Sequence, residues 1–316
     1  MSKYDVQPID FGETKTYRLL DRPSKVTAAQ LAKPYVKGMN FAAWLDCLPD
    51  ILAAKDLKAV AKAVVDARQA KRAVIVGIGG HVIKCGTGPI LIDLIERDII
   101  TAVAMNGSAA IHDFELCYAG FTSEDVDYSI HSGDFGMAEE TGQMFNAAAA
   151  TAAKENIGLG EALGALLQQL DSTRLDQSLL AVSYKLSVPV TVHLAIGTDI
   201  VHMHRTANGA DLGKATHTDF RIFCSLVREL SDGGVYLNIG SAVLMPEVFL
   251  KAVTVVRNLG FPLRNFVTVN LDFIQHYRPM TNVVRRPVAG VGRGYAITGH
   301  HELLIPLLAA TIIELS

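Results

Sequence analysis

The chain has 316 residues, of which 50% are hydrophobic and 19% are charged, and its formal net charge is −3. The sequence has no basic excess to support nucleic-acid binding, no stretch of about 20 apolar residues to span a bilayer, and no apolar signal-peptide core in its polar first residues. We therefore expect a cytoplasmic protein with neither a nucleic-acid nor a membrane partner.

The predicted elements begin after a polar, irregular stretch, residues 1–35, which we expect to be an N-terminal arm that wraps another part of the protein or a neighbouring subunit. Residues 36–316 form one predicted domain. A helical apolar period over 56–72 leads into a short β-rich run over 73–79, which is typical of a buried parallel strand.

Helical and strand patterns then alternate along the rest of the chain, with a helical insertion in the middle. Helices are predicted over 89–98, 109–120, 137–170, 217–231 and 245–260, strands over 99–107, 189–197, 233–243 and 265–273, and a strand followed by a helix over 294–315. This alternation predicts an α/β fold with a doubly wound parallel sheet. The order of the strands in the sheet cannot be deduced from it.

A glycine-rich segment, 77–89, follows the first predicted strand, where a ligand crevice opens in such sheets. Glycines there let the backbone approach a phosphate group. The dinucleotide fingerprint is incomplete, because Val82 occupies the third glycine position, and no GK[ST] ending completes a triphosphate-binding loop. A phosphate-bearing ligand and a ligand-free turn both remain open.

The second predicted strand ends at Asn106, Gly107 and Ser108, and the helix after it carries His112 next to Asp113. Asn106, Ser108 and His112 are candidates to face the same crevice, and His112 is a candidate general acid or base. The alternative is a polar cap at the start of the helix.

Four histidines lie in one segment of the chain, and they are His193, His202, His204 and His217. Their spacing matches no zinc signature, and the four cysteines of the chain show no CxxC spacing, so we predict no metal. A polar substrate pocket or a subunit contact is favoured instead. Asp199, in a Gly-Thr-Asp turn at a strand end, is a candidate for holding a cation or a ribose.

Two later strand ends add polar candidates. Gly240 and Ser241 form a turn ahead of Glu247, which is either a charge at a helix start or an acid in the crevice. Further on, Arg285 and Arg286 could clamp an anionic group, or lie in a solvated loop or an intersubunit salt bridge.

The order of these motifs resembles the deoxyhypusine synthase family, most closely its bacterial deoxyhypusine synthase-like branch. The resemblance covers the chain from about Val36 onward and rests on several segments, which are VKGMNFAAWL, AMNGSAAIHDFE, PVTVHLAIGTD, GGVYLNIGSAV and ITGHHELLIPLLAATI. It implies a Rossmann-like parallel sheet, NAD bound at subunit interfaces, and a homotetramer. It also implies oxidation of spermidine and transfer of the aminobutyl group to an amine.

Carried over position by position, the resemblance assigns cofactor contacts at the strand ends. These contacts are Gly77, Gly79, Gly80, His81, Lys84, Asn106, Gly107, Ser108, Asp113, Gly240, Ser241, Asn270 and Asp272. Asp199 matches an aspartate of the polyamine pocket.

The catalytic end departs from the family pattern. The family's essential lysine is missing, since the corresponding segment is NVVRRPV and no lysine follows Lys251. Arginine cannot replace it as a nucleophile, because its guanidinium stays protonated. Deoxyhypusine synthesis on a protein substrate is therefore not expected.

We instead expect NAD-dependent chemistry on a small amine or polyamine. In this hypothesis Asp199 and Glu247 orient the substrate, and His112 or His202 moves protons. One alternative is a non-catalytic oligomer that binds NAD or a polyamine. Another is chemistry on an acidic substrate held by Arg285 and Arg286.

Overall fold

The computed structural model describes residues 3–316, and its regular elements alternate as the sequence predicts. The strands are β1 (Val74–Ile78), β2 (Ala102–Asn106), β3 (Val190–His193), β4 (Val235–Ile239), β5 (Val267–Asp272) and β6 (Arg293–Thr298). The helices are α1 (Phe41–Leu45), α2 (Leu52–Gln69), α3 (Gly80–Lys84), α4 (Gly88–Glu96), α5 (Gly107–Ala119), α6 (Val126–Ser129), α7 (Glu139–Glu155), α8 (Leu159–Leu167), α9 (Leu179–Lys185), α10 (Gly209–Arg228), α11 (Leu244–Asn258), α12 (Tyr277–Pro279) and α13 (His301–Leu315).

The six strands form one sheet in the order β3-β2-β1-β4-β5-β6, and every pair of neighbours is parallel. In the centre, Val76 of β1 lies opposite Val103 of β2 on one side and Leu237 of β4 on the other. The strand order reverses between β1 and β4. This is the order of a Rossmann-like doubly wound sheet, in which ligands bind beyond the carboxyl ends of the strands at the reversal.

Helices cover both faces of the sheet. Successive strand residues point to opposite sides, so the apolar side chains of one strand enter two different cores. Val74 and Val76 belong to a core with α2, α4 and α13. Ile75 belongs to a second core with Phe223 of α10 and Phe249 of α11. Both faces of the central strands are therefore buried, which explains why these strands are continuous apolar runs.

Two segments expected to be turns or loops contain helical turns. The glycine-rich segment 77–89 contains α3, which ends where Gly86 takes a φ of +73° ahead of α4. After α12, Met280–Arg285 continue as a π-helical turn. In addition, α10 begins at Gly209, eight residues before the predicted start at 217. Short helices with few apolar positions give too weak a period to be found by pattern alone.

The segment before α1 packs little against the domain. Residues 3–29 are exposed throughout and contain two short 3₁₀ turns, one of which reaches Gln30. Within the part of the chain that the structure describes, no helix has both the length and the apolar character needed to cross a membrane.

Candidate functional site

The glycines at the carboxyl ends of the central strands allow the loops to pack closely. A Cβ atom on Gly79, after β1, would lie 2.1 Å from the carbonyl oxygen of Gly240, after β4. A Cβ atom on Gly80 would lie 2.2 Å from Oγ of Ser108, which follows β2. Side chains at these glycines would therefore force apart the three strand ends that border the reversal of the sheet.

Gly77, which was predicted as a cofactor contact, lies inside the strand rather than in the crevice. A Cβ atom there would come within 2.4 Å of the hydroxyl oxygen of Tyr236. The ring of Tyr236 is fully buried and stacks on Phe249 at a centroid distance of 3.8 Å. The structure thus gives Gly77 a packing role in the core.

Asn106 caps the helix that leaves β2. Its side-chain oxygen accepts a hydrogen bond of 2.8 Å from the backbone N–H of Ala109. This cap turns the chain sharply from strand to helix, which places Ser108 and His112 on successive turns of α5. The polar-cap alternative is therefore realised by Asn106, while His112 remains available for chemistry.

His112 belongs to a hydrogen-bonded chain that fixes its tautomer. Its Nδ1 lies 2.7 Å from Oγ1 of Thr122, and Thr122 donates its proton to Glu115 Oε2 at 2.5 Å. Since the Thr122 hydroxyl has one proton, it must accept from His112 Nδ1–H. The neutral imidazole therefore has a lone pair on Nε2. Glu115 is held from its other oxygen by Thr141 at 3.0 Å.

The surroundings of His112 keep it uncharged. Burial, together with the smaller effect of the positive charge of Lys84 on α3, lowers its pKa to about 4. A Cβ atom on Gly80 would lie 3.2 Å from the His112 ring carbon Cδ2, so the imidazole borders the end of β1. A neutral histidine with a lone pair on Nε2 next to a strand end is in the protonation state that a proton acceptor needs, and its lowered pKa makes it a weak base.

Asp199 lies against the start of α5. A Cβ atom on Gly107 would come within 2.2 Å of its Oδ2, so only glycine fits beside this carboxylate. Asp199 also shares a capping box with His202, whose Nδ1 accepts from the Asp199 backbone N–H at 3.3 Å. Asp199 Oδ2 and His202 Nε2 are both buried without a hydrogen-bond partner among the described residues. Burial raises the pKa of Asp199 to about 6.

Asp113, by contrast, is used entirely by the fold. It is buried, and it accepts hydrogen bonds from the Ser178 hydroxyl at 2.6 Å, from Leu179 N–H at 2.8 Å and from Leu180 N–H at 3.0 Å. These bonds tie α5 to the start of α9. Adjacent helix residues point about 100° apart, so His112 faces the strand ends while Asp113 faces the core.

Glu247 is also engaged by its neighbours rather than free. It pairs with Lys251 one turn along α11, accepts from Asn282 Nδ2 at 2.8 Å, and lies 3.4 Å from Arg278 Nε. Lys251 and these groups lower the pKa of Glu247. This network joins α11 to the segment that follows β5.

The arginine pair points back into its own helical turn. Arg285 donates to Thr281 Oγ1 at 3.0 Å, and Arg286 donates to Asn282 Oδ1 at 3.0 Å. Both guanidinium groups therefore already have partners one turn away, which does not favour the acidic-substrate alternative.

The remaining histidines of the segment 193–217 do not meet. His193 is buried, lies 3.0 Å from Thr191 Oγ1 and packs edge-on against Phe223, and burial lowers its pKa to about 3. His204 bonds to the carbonyl of Gly136 at 2.8 Å, and His217 is exposed on α10. Each of them serves its own part of the fold.

Polar side chains also connect the ends of the last three strands. Asn238 of β4 donates to Asn270 of β5 at 2.7 Å, and Asn270 donates to Gln275 at 2.7 Å. Asp272 accepts from the backbone N–H of Phe273 and lies 3.8 Å from His301 Nε2. Asn270 and Asp272, predicted as cofactor contacts, thus form part of a polar edge beside the reversal.

Several residues of this site were not identified from the sequence. Thr122 and Glu115 complete the His112 chain, and His301 and Cys85 lie close to His81. Glu115 is three residues from His112, a helical neighbour spacing that could have indicated it. Thr122 lies in a loop, and no periodic signal marks it.

Comparison with known proteins shows a relation of fold. No protein-family model matches the sequence, and no curated protein matches it. A solved structure of a conserved LOR/SDH protein from Methanococcus maripaludis is 14% identical with a TM-score of 0.52, over 84% of this chain and 71% of that one. Its similarity is therefore confined to the architecture.

Two further solved structures have the same level of similarity. A ternary complex of AgrE with ornithine and NAD⁺ is 15% identical with a TM-score of 0.52, over 83% of this chain. This chain spans only 33% of AgrE. A solved structure from Entamoeba histolytica is described as that of a putative deoxyhypusine synthase. It is 11% identical with a TM-score of 0.51, over 89% of this chain and 96% of that one. The fold-level part of the predicted resemblance is confirmed.

Proposed function

We propose that this protein binds NAD at the carboxyl edge of its sheet and oxidises a small amine there. The observation that carries the proposal is the chain His112–Thr122–Glu115, which leaves a neutral proton acceptor at the strand ends next to the reversal of the sheet. The neighbouring fold of AgrE, which was solved with ornithine and NAD⁺, supports the pairing of this cofactor with an amine.

The residues at the edge fit a nucleotide cofactor. Reversal of strand order between β1 and β4 is the place where dinucleotides bind in sheets of this order. Among the described residues, buried polar atoms without partners include Asn238 Oδ1, His202 Nε2 and Asp199 Oδ2, all of which follow or end strands at this edge. Unsatisfied buried groups are costly, so a polar ligand that bonds to them would bind favourably. Gly79, Gly80, Gly107, Ser108, Gly240 and Ser241 are the proposed cofactor contacts.

In this proposal His112 takes the proton that the amine must lose. A primary amine enters as its ammonium form, and Nε2 of His112 accepts one N–H proton. NAD, when bound, accepts the hydride from the adjacent carbon, which leaves a carbon–nitrogen double bond. Water, or a second free amine, then adds to that carbon, so the missing family lysine is not required.

Asp199 is proposed to hold the positive charge of the substrate. Its Oδ2 is buried and unpartnered, and a buried carboxylate binds an ammonium group more strongly than an exposed one does. His202 positions this carboxylate through the shared capping box. Glu247, which is paired with Lys251 and Arg278, is left out of the proposed catalytic set.

We also propose that copies of this chain associate, as the resemblance implies for a homotetramer, and that the N-terminal arm takes part in this contact. Large apolar side chains of the arm are exposed, and they include Ile9, Phe11, Leu19, Leu20 and Val26. Burying such residues against a second copy would account for the low charged fraction of the chain. The cytoplasmic location stays a prediction.

The proposal is tested by binding and turnover of the intact protein. NAD⁺ and NADH should each raise the melting temperature, and NADH should form when NAD⁺ is supplied with a small diamine, polyamine or amino acid such as ornithine. A panel of carboxylic acids without amino groups is the control. Absence of any NAD-dependent melting shift would end the proposal.

A non-catalytic binding protein is the second candidate, because no lysine follows Lys251. It predicts a melting shift with NAD or a polyamine but no NADH with any amine. The same experiment therefore separates the two candidates.

A further inference from the structure

Three side chains able to ligate a metal lie together at the carboxyl edge, and the proposed amine oxidation does not use them. A ring nitrogen of His81, the Sγ of Cys85 and a ring nitrogen of His301 all lie within 4.8 Å of one another. His81 lies on α3, and Cys85 follows four residues later at its end, so both side chains share one face of the turn. His301 begins α13, directly after β6.

His301 has a buried ring nitrogen that could bond to a ligand. The side chain is only 1% exposed, yet its Nδ1 has no hydrogen-bond partner among residues 3–316. Its Nε2 lies 3.4 Å from the carbonyl oxygen of Leu271 and 3.8 Å from Oδ1 of Asp272. Metal-bound histidines usually donate their second N–H to a carbonyl or carboxylate in this way, which leaves the other nitrogen free for the metal.

The groups around the three side chains fit a cation as well. The Glu302 carboxylate interacts electrostatically with the Cys85 thiol, so a negative charge that favours a cation lies near the group. The ring of Phe273 packs against His81 at 5.7 Å and against His301 at 5.9 Å between centroids, so it borders the group on one side. Bound zinc would hold Cys85 as a thiolate and satisfy the free nitrogen of His301.

We propose that His81, Cys85 and His301 bind a zinc-like divalent cation, with the fourth position taken by Glu302 or water. One thiolate and two imidazoles are a ligand set that binds zinc in preference to magnesium or calcium, which take oxygen ligands. Ligand atoms in a tetrahedral zinc site lie about 3.4–3.6 Å apart, given bonds of about 2.0–2.3 Å. Small rotations of the exposed His81 and the half-buried Cys85 would close the group to that size. The site does not depend on the proposed oxidation of amines.

The test is metal binding by the full chain in the absence of NAD and amine. The purified protein is stripped with a chelator, dialysed, and titrated with Zn²⁺ and, separately, with Co²⁺. We expect one ion per chain, and we expect Co²⁺ to give a thiolate-to-cobalt charge-transfer absorption. Binding well below one ion per chain, or cobalt binding without that absorption, would overturn the proposal.

Two variants assign the ligands, and a third is the control. Cys85→Ser should abolish the charge-transfer absorption and weaken Zn²⁺ binding by more than the 10- to 100-fold that loss of an outer-shell partner costs. His81→Ala tests a histidine ligand at an exposed position, where folding is not at risk. Cys47→Ser, at a thiol that bonds to the carbonyl of Ala43, should leave both signals unchanged. Equal Zn²⁺ affinity in the wild type and in Cys85→Ser would contradict the proposal.

Discussion

The histidines of the segment 193–217 and the histidines at the strand ends differ in what their ring nitrogens contact. Between 193 and 217, His193 is bonded to Thr191 and His204 is bonded to Gly136, while His217 is exposed. Around the ends of β1, β2 and β6, by contrast, His81, His112 and His301 keep a nitrogen available or lie in a ligand-like group. The histidines to which we assign chemistry are therefore mostly those at strand ends and not those that are dense along the chain.

The two aspartates of these regions show the reverse pattern. Asp113, next to His112 on α5, has both oxygens bonded to the start of α9. Asp199, inside the histidine-rich segment, keeps a buried oxygen that has no partner in the part of the chain that the structure describes. A region is therefore not functional or structural as a whole, and each side chain must be judged by its own bonds.

Removal of the His112 imidazole should have the largest effect. His112→Ala should lower kcat by about 100- to 10,000-fold, the range expected for loss of a general base, while the NAD-induced melting shift stays unchanged. His217→Ala, at an exposed histidine of the other region, is the matched control and should keep full activity. Steady-state kinetics with the best amine substrate measures both, and equal activity of the two variants would refute the role of His112.

His193→Ala should act on the fold rather than on the chemistry. The buried ring packs against Phe223, so its removal leaves a cavity, and we expect the free energy of unfolding to fall by about 3 kcal/mol. Denaturant unfolding measures this loss. At a temperature where the variant is folded, its kcat should match that of the wild type, and a selective loss of kcat would move His193 into the site.

Asp199→Asn should weaken substrate binding more than turnover. A hydrogen bond to a charged group contributes about 1.5–3 kcal/mol, so KM for the amine should rise by roughly 10- to 100-fold. The NAD melting shift should remain. Weaker NAD binding with unchanged amine binding would instead assign Asp199 to the ribose of the cofactor.

Activity should rise with pH through the pKa of Asp199. Burial favours the protonated acid and raises this pKa to about 6, so the carboxylate that holds an ammonium is present above pH 6 and is lost below it. His112, with a pKa of about 4, stays neutral across this range. A pH profile of kcat/KM should therefore fall about tenfold per unit below pH 6. In Asp199→Asn this step should disappear.

Thr122→Val should give the smallest of these effects. It removes the acceptor that orients His112 Nδ1–H, and loss of one such hydrogen bond should lower kcat by about 2- to 10-fold. Thr122→Ser keeps the hydroxyl and should restore most of the activity. If both variants behave alike, Thr122 contributes packing and does not position the imidazole.

Much of the fold followed from local sequence patterns. The apolar runs 73–79 and 265–273 and the helical period over 245–260 predicted β1, β5 and α11, because strand and helix periods are properties of neighbouring residues. The proposed site was predicted only in part. His112, Asp199 and Gly80 are candidates from the sequence because they follow strands, whereas Glu115 and Thr122 join the proposed site from a helix and a loop.

The sequence by itself determined the alternation of strands and helices and the glycines at the strand ends, while the resemblance to the deoxyhypusine synthase family is confirmed at the level of the fold alone. Only the tertiary structure decided the order β3-β2-β1-β4-β5-β6, the free oxygen of Asp199 and the meeting of Cys85 with His301. The physical reason is range. Periodicity and turn chemistry act over a few residues, whereas the approach of Cys85 to His301 joins residues more than 200 positions apart.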